Sequence, residues 1–512
     1  MQQHNASSAL DRRKFLIAAS TMLGSTPLAL AEVKSGGILL QPRTQDLYRI
    51  RMEVEVKGNV NVPRNPLTSR GMELKLPIDS EASFEYEERL HVHASKGPRN
   101  PSEQVRAARG SIAAERYYHR AEAESTLNGK LHSVQLRDSV RDTIVRHDSR
   151  PEHVYAIEDF FRREELELLR TPVSSLAVDQ LLPGKPIKIG SQYTISAASM
   201  KSVLNLTAVM ACHVQAEVVA ISDEDVKIQL RGNVDGAVDG VPTIIRTVGK
   251  LTFDRKLASC TWLAVALHET REVGRAEPGF DVSATIKMLR QPLKATIALP
   301  AVARKMDLGE PVAEELQYVS VTSEQIGFHV LLDRRWRMMR DQSGAAMMRM
   351  VENDRSIGQC DIQPVTQLVD DQPWSLPAFE SNVQILLGEQ FVAMVESDER
   401  VTASGTRVLR VVANGSAEGV PIRWVMMHLS DGNGDQIVAT FTMEGSNIDA
   451  FGSSDMQFAG SIRFMKPAFS SKSPKGSAPA TLSSNVEDLS QHVNETTAKQ
   501  VADSILNVNT VR

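Results

Sequence analysis

Cysteine is scarce in this chain: 512 residues contain three, Cys212, Cys260 and Cys360. No CxxC pair and no Cys/His cluster at zinc-ligand spacing occurs, which excludes a structural zinc site or a redox dithiol of that kind. Cys212 and Cys260 fall on candidate strands of one half, so two readings stay open: a bridge between them, or three buried thiols. Neither sign of charge prevails, with 58 Lys and Arg against 63 Asp and Glu for a net charge of -5. That balance lacks the basic stripe of a nucleic-acid binder. No apolar run reaches the roughly 18 to 20 residues that cross a bilayer. GxSxG, a Walker loop, a complete dinucleotide fingerprint and HExxH are all missing. A triad assembled from distant residues is still open, but the balance leans away from an enzyme, and no cofactor is expected.

What is there begins at the N-terminus, SSALDRRKFLIAASTMLGSTPLALAE. Arg12, Arg13 and Lys14 form a positive region, Phe15 to Leu23 a short apolar core, and Ala29-Leu30-Ala31 a small-x-small cleavage site. This is the layout of a removable export signal. The paired arginines before Phe15 and Leu16 fit the twin-arginine motif, although Asp11 and Ile17 depart from its favoured residues. Residues 1–31 are therefore expected to be an export signal. The mature chain is expected in the periplasm or envelope of a bacterium, without a transmembrane span.

In LYRIRMEVEVKGNVNV (47–62), Tyr48, Ile50, Met52, Val54, Val56, Val60 and Val62 fall on even positions. Between them stand Arg49, Arg51, Glu53, Glu55 and Lys57, so the stretch predicts a strand with one dry and one wet face. Residues 32–46 read as a lead-in. A strand-rich domain over 47–290 follows, with strands expected at 72–78, 84–94, 115–128, 131–146, 208–221, 225–233, 241–254, 260–273 and 280–290. Helices are expected near 160–170 and 198–205. Residues 291–316, with three prolines and no period, read as a linker. All seven Tyr lie at or before Tyr318, whereas Trp336, Trp374 and Trp424 follow it, as two separate cores would require. A second domain over 317–467 shows strands, a helix at 377–387 opening on Pro377 and ending at Gly388, and the turn SDGNGD. Residues 468–512 are a Ser/Pro/Lys tail with a possible short helix.

"IGFHVLLDRRW", "PAFESNVQILL" and the closing "SIRF" resemble the PsbP-like fold, which implies an antiparallel sheet flanked by helices in a family known mostly for binding and assembly. "SIAAERYYHRAEAESTLNGK", "HVYAIEDFFRREELELL", "LLPGKPIKIGSQY" and "GKLTFDRKLASCTWLAVALHETREVG" resemble an uncharacterised family of exported bacterial proteins. The expected class is α+β: a strand-rich N-terminal domain with a long antiparallel sheet, and a PsbP-like sheet flanked by helices.

Chemical candidates are thin. His91 and His93 of "HVH" share one strand face at a workable metal-ligand spacing, with Glu85, Glu87 and Arg89 beside them, but two ligands do not make a site and a wet strand face is the default. "HETRE" (268–272) lacks the second His and lies in a strand pattern. "DGNGDQ" (431–436) fails as a calcium loop and reads as a turn. Met338, Met339, Met347, Met348, Met350, Met426 and Met427 read as core filler rather than copper ligands. The expected function is a non-catalytic envelope protein binding a lipid or other hydrophobic ligand, or an envelope protein partner. The alternatives are an exported hydrolase or metal-dependent enzyme with a site at the domain seam, and a pure scaffold. A dry face packed by the chain's own elements would remove the carrier version. A seam pocket lined by converging ionisable groups would favour the enzyme.

Overall fold

The alternation at 47–62 becomes a single strand of 17 residues. The computed structural model describes residues 37–42, 47–63, 73–91, 113–147, 152–275, 277–305, 312–342, 344–365 and 374–466. The export signal, His93 and the tail lie outside these.

The first lobe is a 12-stranded sheet whose named pairs are all antiparallel. It comprises β1 (Leu47–Pro63), β2 (Glu73–His91), β3 (Ala113–Leu127), β4 (Lys130–Gln135), β5 (Asp142–Arg146) and β6 (His153–Ala156). A connector then carries α1 (Arg163–Leu168), a 3-10 turn at Ser175–Leu181, the short β7 (Gln192–Thr194) and α2 (Ala197–Val203). Long strands follow: β8 (Ala208–Ile221), β9 (Asp225–Val238), β10 (Val241–Asp254), β11 (Ser259–Arg271) and β12 (Gly279–Pro292). The order is β6-β5-β3-β2-β1-β12-β11-β10-β9-β8-β7, with β4 beside β3. Tyr48, Ile50, Met52, Val54 and Val56 are all buried, as the even positions demanded. Gly58 takes an even place in that pattern where a Cβ would sit 2.3 Å from the Asp281 carbonyl oxygen of β12, so no other residue fits.

The second lobe has a three-stranded sheet and a seven-stranded sheet flanked by a few helices. Its elements are β13 (Val319–Ser323), β14 (Phe328–Leu332), β15 (Trp336–Gln342), β16 (Ala345–Glu352), β17 (Arg355–Pro364), α3 (Leu376–Leu387) and β18 (Phe391–Val401). They continue as β19 (Arg407–Ala417), β20 (Val420–Ser430), β21 (Gln436–Glu444), α4 (Ile448–Phe451), α5 (Ser454–Ser461) and β22 (Arg463–Phe464). The sheets run β13-β14-β22 and β15-β16-β17-β21-β20-β19-β18. Trp336, Phe441, Phe451 and Phe458 interlock edge to face in the main core, where Met348, Met350 and Met427 are also fully buried. The α+β class thus takes the form of a large antiparallel sheet and a smaller one with helices.

Three expectations are corrected. The strands read at 72–78 and 84–94 are one: across DSEAS, Ser80 and Ala82 keep the alternation, and Ser80 meets Ser125 of β3 at 2.6 Å on the dry face. The strand read at 131–146 is two, β4 and β5, with a 3-10 turn at Asp138–Val140 between them. Cys212 and Cys260 are free rather than bridged. They lie on β8 and β11 with β9 and β10 between, roughly 14 Å at the usual strand spacing, and a disulfide needs Cα atoms within about 7 Å.

Candidate functional site

Strand β2 carries Glu87, Glu88 and Arg89 in succession, so charge must fall on both faces of a strand that is buried there. Glu88 and Arg116, at register across β2 and β3, stand on the dry face. Arg116 donates from Nε to Glu88 at 2.8 Å and from its terminal nitrogens to Glu152 at 3.0 and 3.3 Å. Its guanidinium also lies over the Tyr86 ring, 5.0 Å from the centroid. Burial opposes the charge on Arg116, but Glu152 and the neighbouring groups hold its pKa well above the usual value. Burial likewise raises the Glu152 carboxyl, and Arg116 outweighs it, leaving the acid below its ordinary range.

The connector is fastened here. Ser175 donates to Glu88 at 2.6 Å while accepting from Tyr86 at 3.0 Å and Arg116 at 3.1 Å, and Ser174 donates to Glu152. Farther along, Asp179 accepts from Arg290 of β12 at 2.7 Å and from the Cys260 amide of β11 at 3.4 Å, with Arg290 stacked 3.8 Å from the Tyr48 ring centroid. So the dry face around Tyr86, Glu88, Cys260 and Arg290 is covered by the chain's own connector. Ser175 is no nucleophile: its proton goes to Glu88, both lone pairs are engaged, and no histidine base is among its partners. Burial, then Asp179, pushes the Cys260 thiol well up, away from the reactive thiolate.

On the wet face, the seam segment 293–305 lies across β2 and β3. Glu87 accepts from the amides of Ile297 (2.9 Å), Ala298 (3.0 Å) and Leu299 (3.3 Å), and from His119 Nε2 (2.7 Å). Glu115 accepts from His91 Nε2 (2.9 Å), Arg89 (3.1 Å), and the amide (2.6 Å) and guanidinium (3.4 Å) of Arg304, which also pairs with Asp142. A carboxylate only accepts, so both histidine Nε2 atoms carry hydrogen. Burial raises both glutamates. The Ile297 amide and His119 outweigh it at Glu87, and His91 and the Arg304 amide do so at Glu115, leaving both below the ordinary range. With four donors each, neither carboxylate has a lone pair left for a substrate or metal. His91 gives its Nε2–H to Glu115, and no group of three or more His, Cys, Asp or Glu placed to hold a metal occurs among the described residues. The ionisable groups expected at the seam do converge, on one another.

The lobes meet at α1. Arg163 donates to the carbonyls of Arg334 and Trp336, both at 2.7 Å, and Arg337 pairs with Glu277 at 3.1 Å. Burial and the nearby Arg337 push the Arg163 pKa down to about 9. Beside this contact is a cavity of about 30 Å³ lined by Val56, Glu167, Arg170, Asp239, Arg271 and Glu277, among others. That volume holds about two waters, not an acyl chain.

Exposed aliphatic side chains also occur along the outer edge of the second lobe. Ser375 caps α3, whose Phe379, Val383 and Leu387 pack on Leu409, Val411 and Ala413 of β19 and Trp424 and Met426 of β20. Its outer side leaves Ile385 77% exposed, and after the turn Gly388–Gln390 the edge strand β18 leaves Val392 at 70% and Val401 at 67%. Register shifts at 391/393 and 394/396 make Val392 and Val395 the bulged residues.

Sequence reading placed His91 on the right face but missed Glu88, Glu115, Arg116, Glu152 and Arg304. The signal was Glu88 itself, a charge on the apolar side of an alternating strand.

No protein-family model matches the chain, and no curated protein does. Among solved structures, one of lipovitellin concerned with lipid–protein interactions is 9% identical, over 56% of this chain and 29% of that one, at TM-score 0.29. A Pseudomonas aeruginosa protein of unknown function, described as a putative regulator, is 8% identical over 28% of this chain and 92% of that one, at TM-score 0.20. The translocator domain of the Neisseria meningitidis autotransporter NalP is 6% identical over 79% and 88%, at TM-score 0.10. Scores this low leave fold and function to be argued from the chain itself. No helix among the described residues is long and apolar enough to cross a membrane.

Proposed function

We propose that the chain is a non-catalytic protein of the bacterial envelope, exported by its N-terminal signal, that binds a protein partner. The observation that carries this reading is the aliphatic edge of the second lobe, where Ile385, Val392, Val395 and Val401 are exposed on consecutive elements. Isolated exposed aliphatics are ordinary, but Val392 and Val395 stand three apart at the two bulges of an edge strand, which suits an interface. The polar clusters supply no open competing site, because the Glu87 and Glu115 carboxylates and the Ser175 hydroxyl are engaged with their neighbours and the unpartnered Glu88 Oε1 is buried. The burial of the β1 dry-face side chains Tyr48, Ile50, Met52, Val54 and Val56 within the chain itself weighs against a stored lipophile. A PsbP-like identity for 317–467 belongs to the same reading, as that family is known mostly for binding and assembly.

The test uses the full chain isolated from its own envelope. Native mass spectrometry is expected to show bare polypeptide and a stoichiometric protein complex, with the complex lost in Val392→Glu/Val395→Glu while circular dichroism stays unchanged. A reproducible excess mass that extracts into organic solvent, or a complex that survives the double substitution, would overturn the reading.

A further inference from the structure

The seam segment is held in an unusual way. Of its residues between 297 and 304, Leu299 is buried, but Ile297 is 64% and Val302 81% exposed, so apolar packing contributes little. Its hold is polar and narrow. Three consecutive amides go to Glu87, the Arg304 amide and guanidinium go to Glu115, the Arg304 guanidinium also reaches Asp142, and Arg89 donates back to the Pro300 carbonyl. Glu87 and Glu115 thus accept five of the eight hydrogen bonds, with two from the Arg304 guanidinium to Asp142 and one to the Pro300 carbonyl.

We infer that residues 297–304 form an acid-releasable strap across β2 and β3. The charged and titratable groups facing it are Glu87, Arg89 and His91 of β2, Glu115 and His119 of β3, and Asp142 of β5, with Arg304 on the strap itself. A protonated carboxyl has one hydroxyl hydrogen where an acceptor lone pair stood. Proton uptake by Glu87 therefore turns one amide contact into a clash of donors and removes the charge that strengthens the rest. Both glutamates titrate below the ordinary value of 4.5 in the folded chain, so the strap is secure above that value and loosens as pH falls through the folded-state values. His91 and His119 keep their donors but lose a charged acceptor, while Arg304 keeps Asp142 and Arg89 keeps the Pro300 carbonyl, so the 297–299 end of the strap is released first. Opening would bare Glu87, Arg89 and Glu115 and lengthen the free chain between the two lobes.

Hydrogen exchange on the full chain, corrected for intrinsic chemical rates, tests this. At neutral pH, Glu87→Gln is expected to lower protection of the 297–299 amides by about tenfold or more, while Met52 and Val54 of β1 keep theirs. Arg304→Gln, a change on the strap and partly in solvent, is expected to release the 304 amide with the fold intact. Wild-type protein acidified stepwise below pH 4.5 should lose strap protection before β1 protection. Unchanged strap protection in both variants, or acid loss of strap and β1 protection together, overturns the inference. If Glu87→Gln does not fold, Arg304→Gln and the acid series still decide it.

Discussion

Glu87 and Glu88 are neighbours in sequence, equally buried, and aimed at opposite faces of one strand. Each fastens a different passing segment to the sheet. On the wet side, Glu87 does so through three backbone amides and one histidine, and both its oxygens are satisfied. On the dry side, Glu88 relies on Arg116 and Ser175 through one oxygen, and its other oxygen has no hydrogen-bond partner. The difference shows where dependence lies. The seam is held by main-chain groups that most substitutions preserve, whereas the connector's Ser174–Ser175 attachment centres on a buried arginine that serves two carboxylates.

The largest expected effect breaks that dry-side centre. Arg116→Ala would leave Glu88 and Glu152 buried without their cation and is expected to cost about 3–5 kcal/mol, read from the denaturant midpoint. A loss under about 1 kcal/mol would mean water already compensates those carboxylates. Next, Met52→Ala, farther along the same dry face, is expected to cost about 2–5 kcal/mol, and a near-neutral result would mean the surrounding side chains collapse onto the gap. The acid limb of stability sharpens the comparison further. The depressed values of Glu87, Glu115 and Glu152 each add stability above the unfolded glutamate range and lose it as pH falls through the folded ones. Acid unfolding of Arg116→Ala should therefore begin at higher pH than that of wild type, as followed by tryptophan fluorescence. A smaller stability effect belongs to Arg304→Gln, about 1 kcal/mol or less, because its guanidinium is partly in solvent. Val392→Glu should change stability by no more than about 0.5 kcal/mol while abolishing partner binding, measured by calorimetric unfolding and by recovery of the complex.

Much of the large sheet is legible in the residues, because alternation from Tyr48 to Val62 reflects a physical requirement of burial on one side. Where alternation used small polar residues, as in DSEAS, propensity read a break that packing overrides: Ser80 is tolerated inside because Ser125 stands opposite. The clusters were harder. Glu88 announces itself as misplaced, yet its partner Arg116 lies on another strand and Glu152 beyond the next two, and nothing local links them. The proline-rich seam reads as a linker for the same reason. Its attachment depends on backbone amides, which every sequence has, meeting a carboxylate some 210 positions earlier.

The paired bulges at Val392 and Val395 bear on how this molecule meets copies of itself. A straight outer strand of eleven residues would offer an unbroken row of main-chain donors and acceptors, an open invitation to sheet extension and fibre growth. Two interruptions within five residues break that row, and the acidic stretch Glu396–Glu399 discourages what remains. The aliphatic side chains they push outward can then be read by a shaped partner without the strand becoming a template for polymerisation.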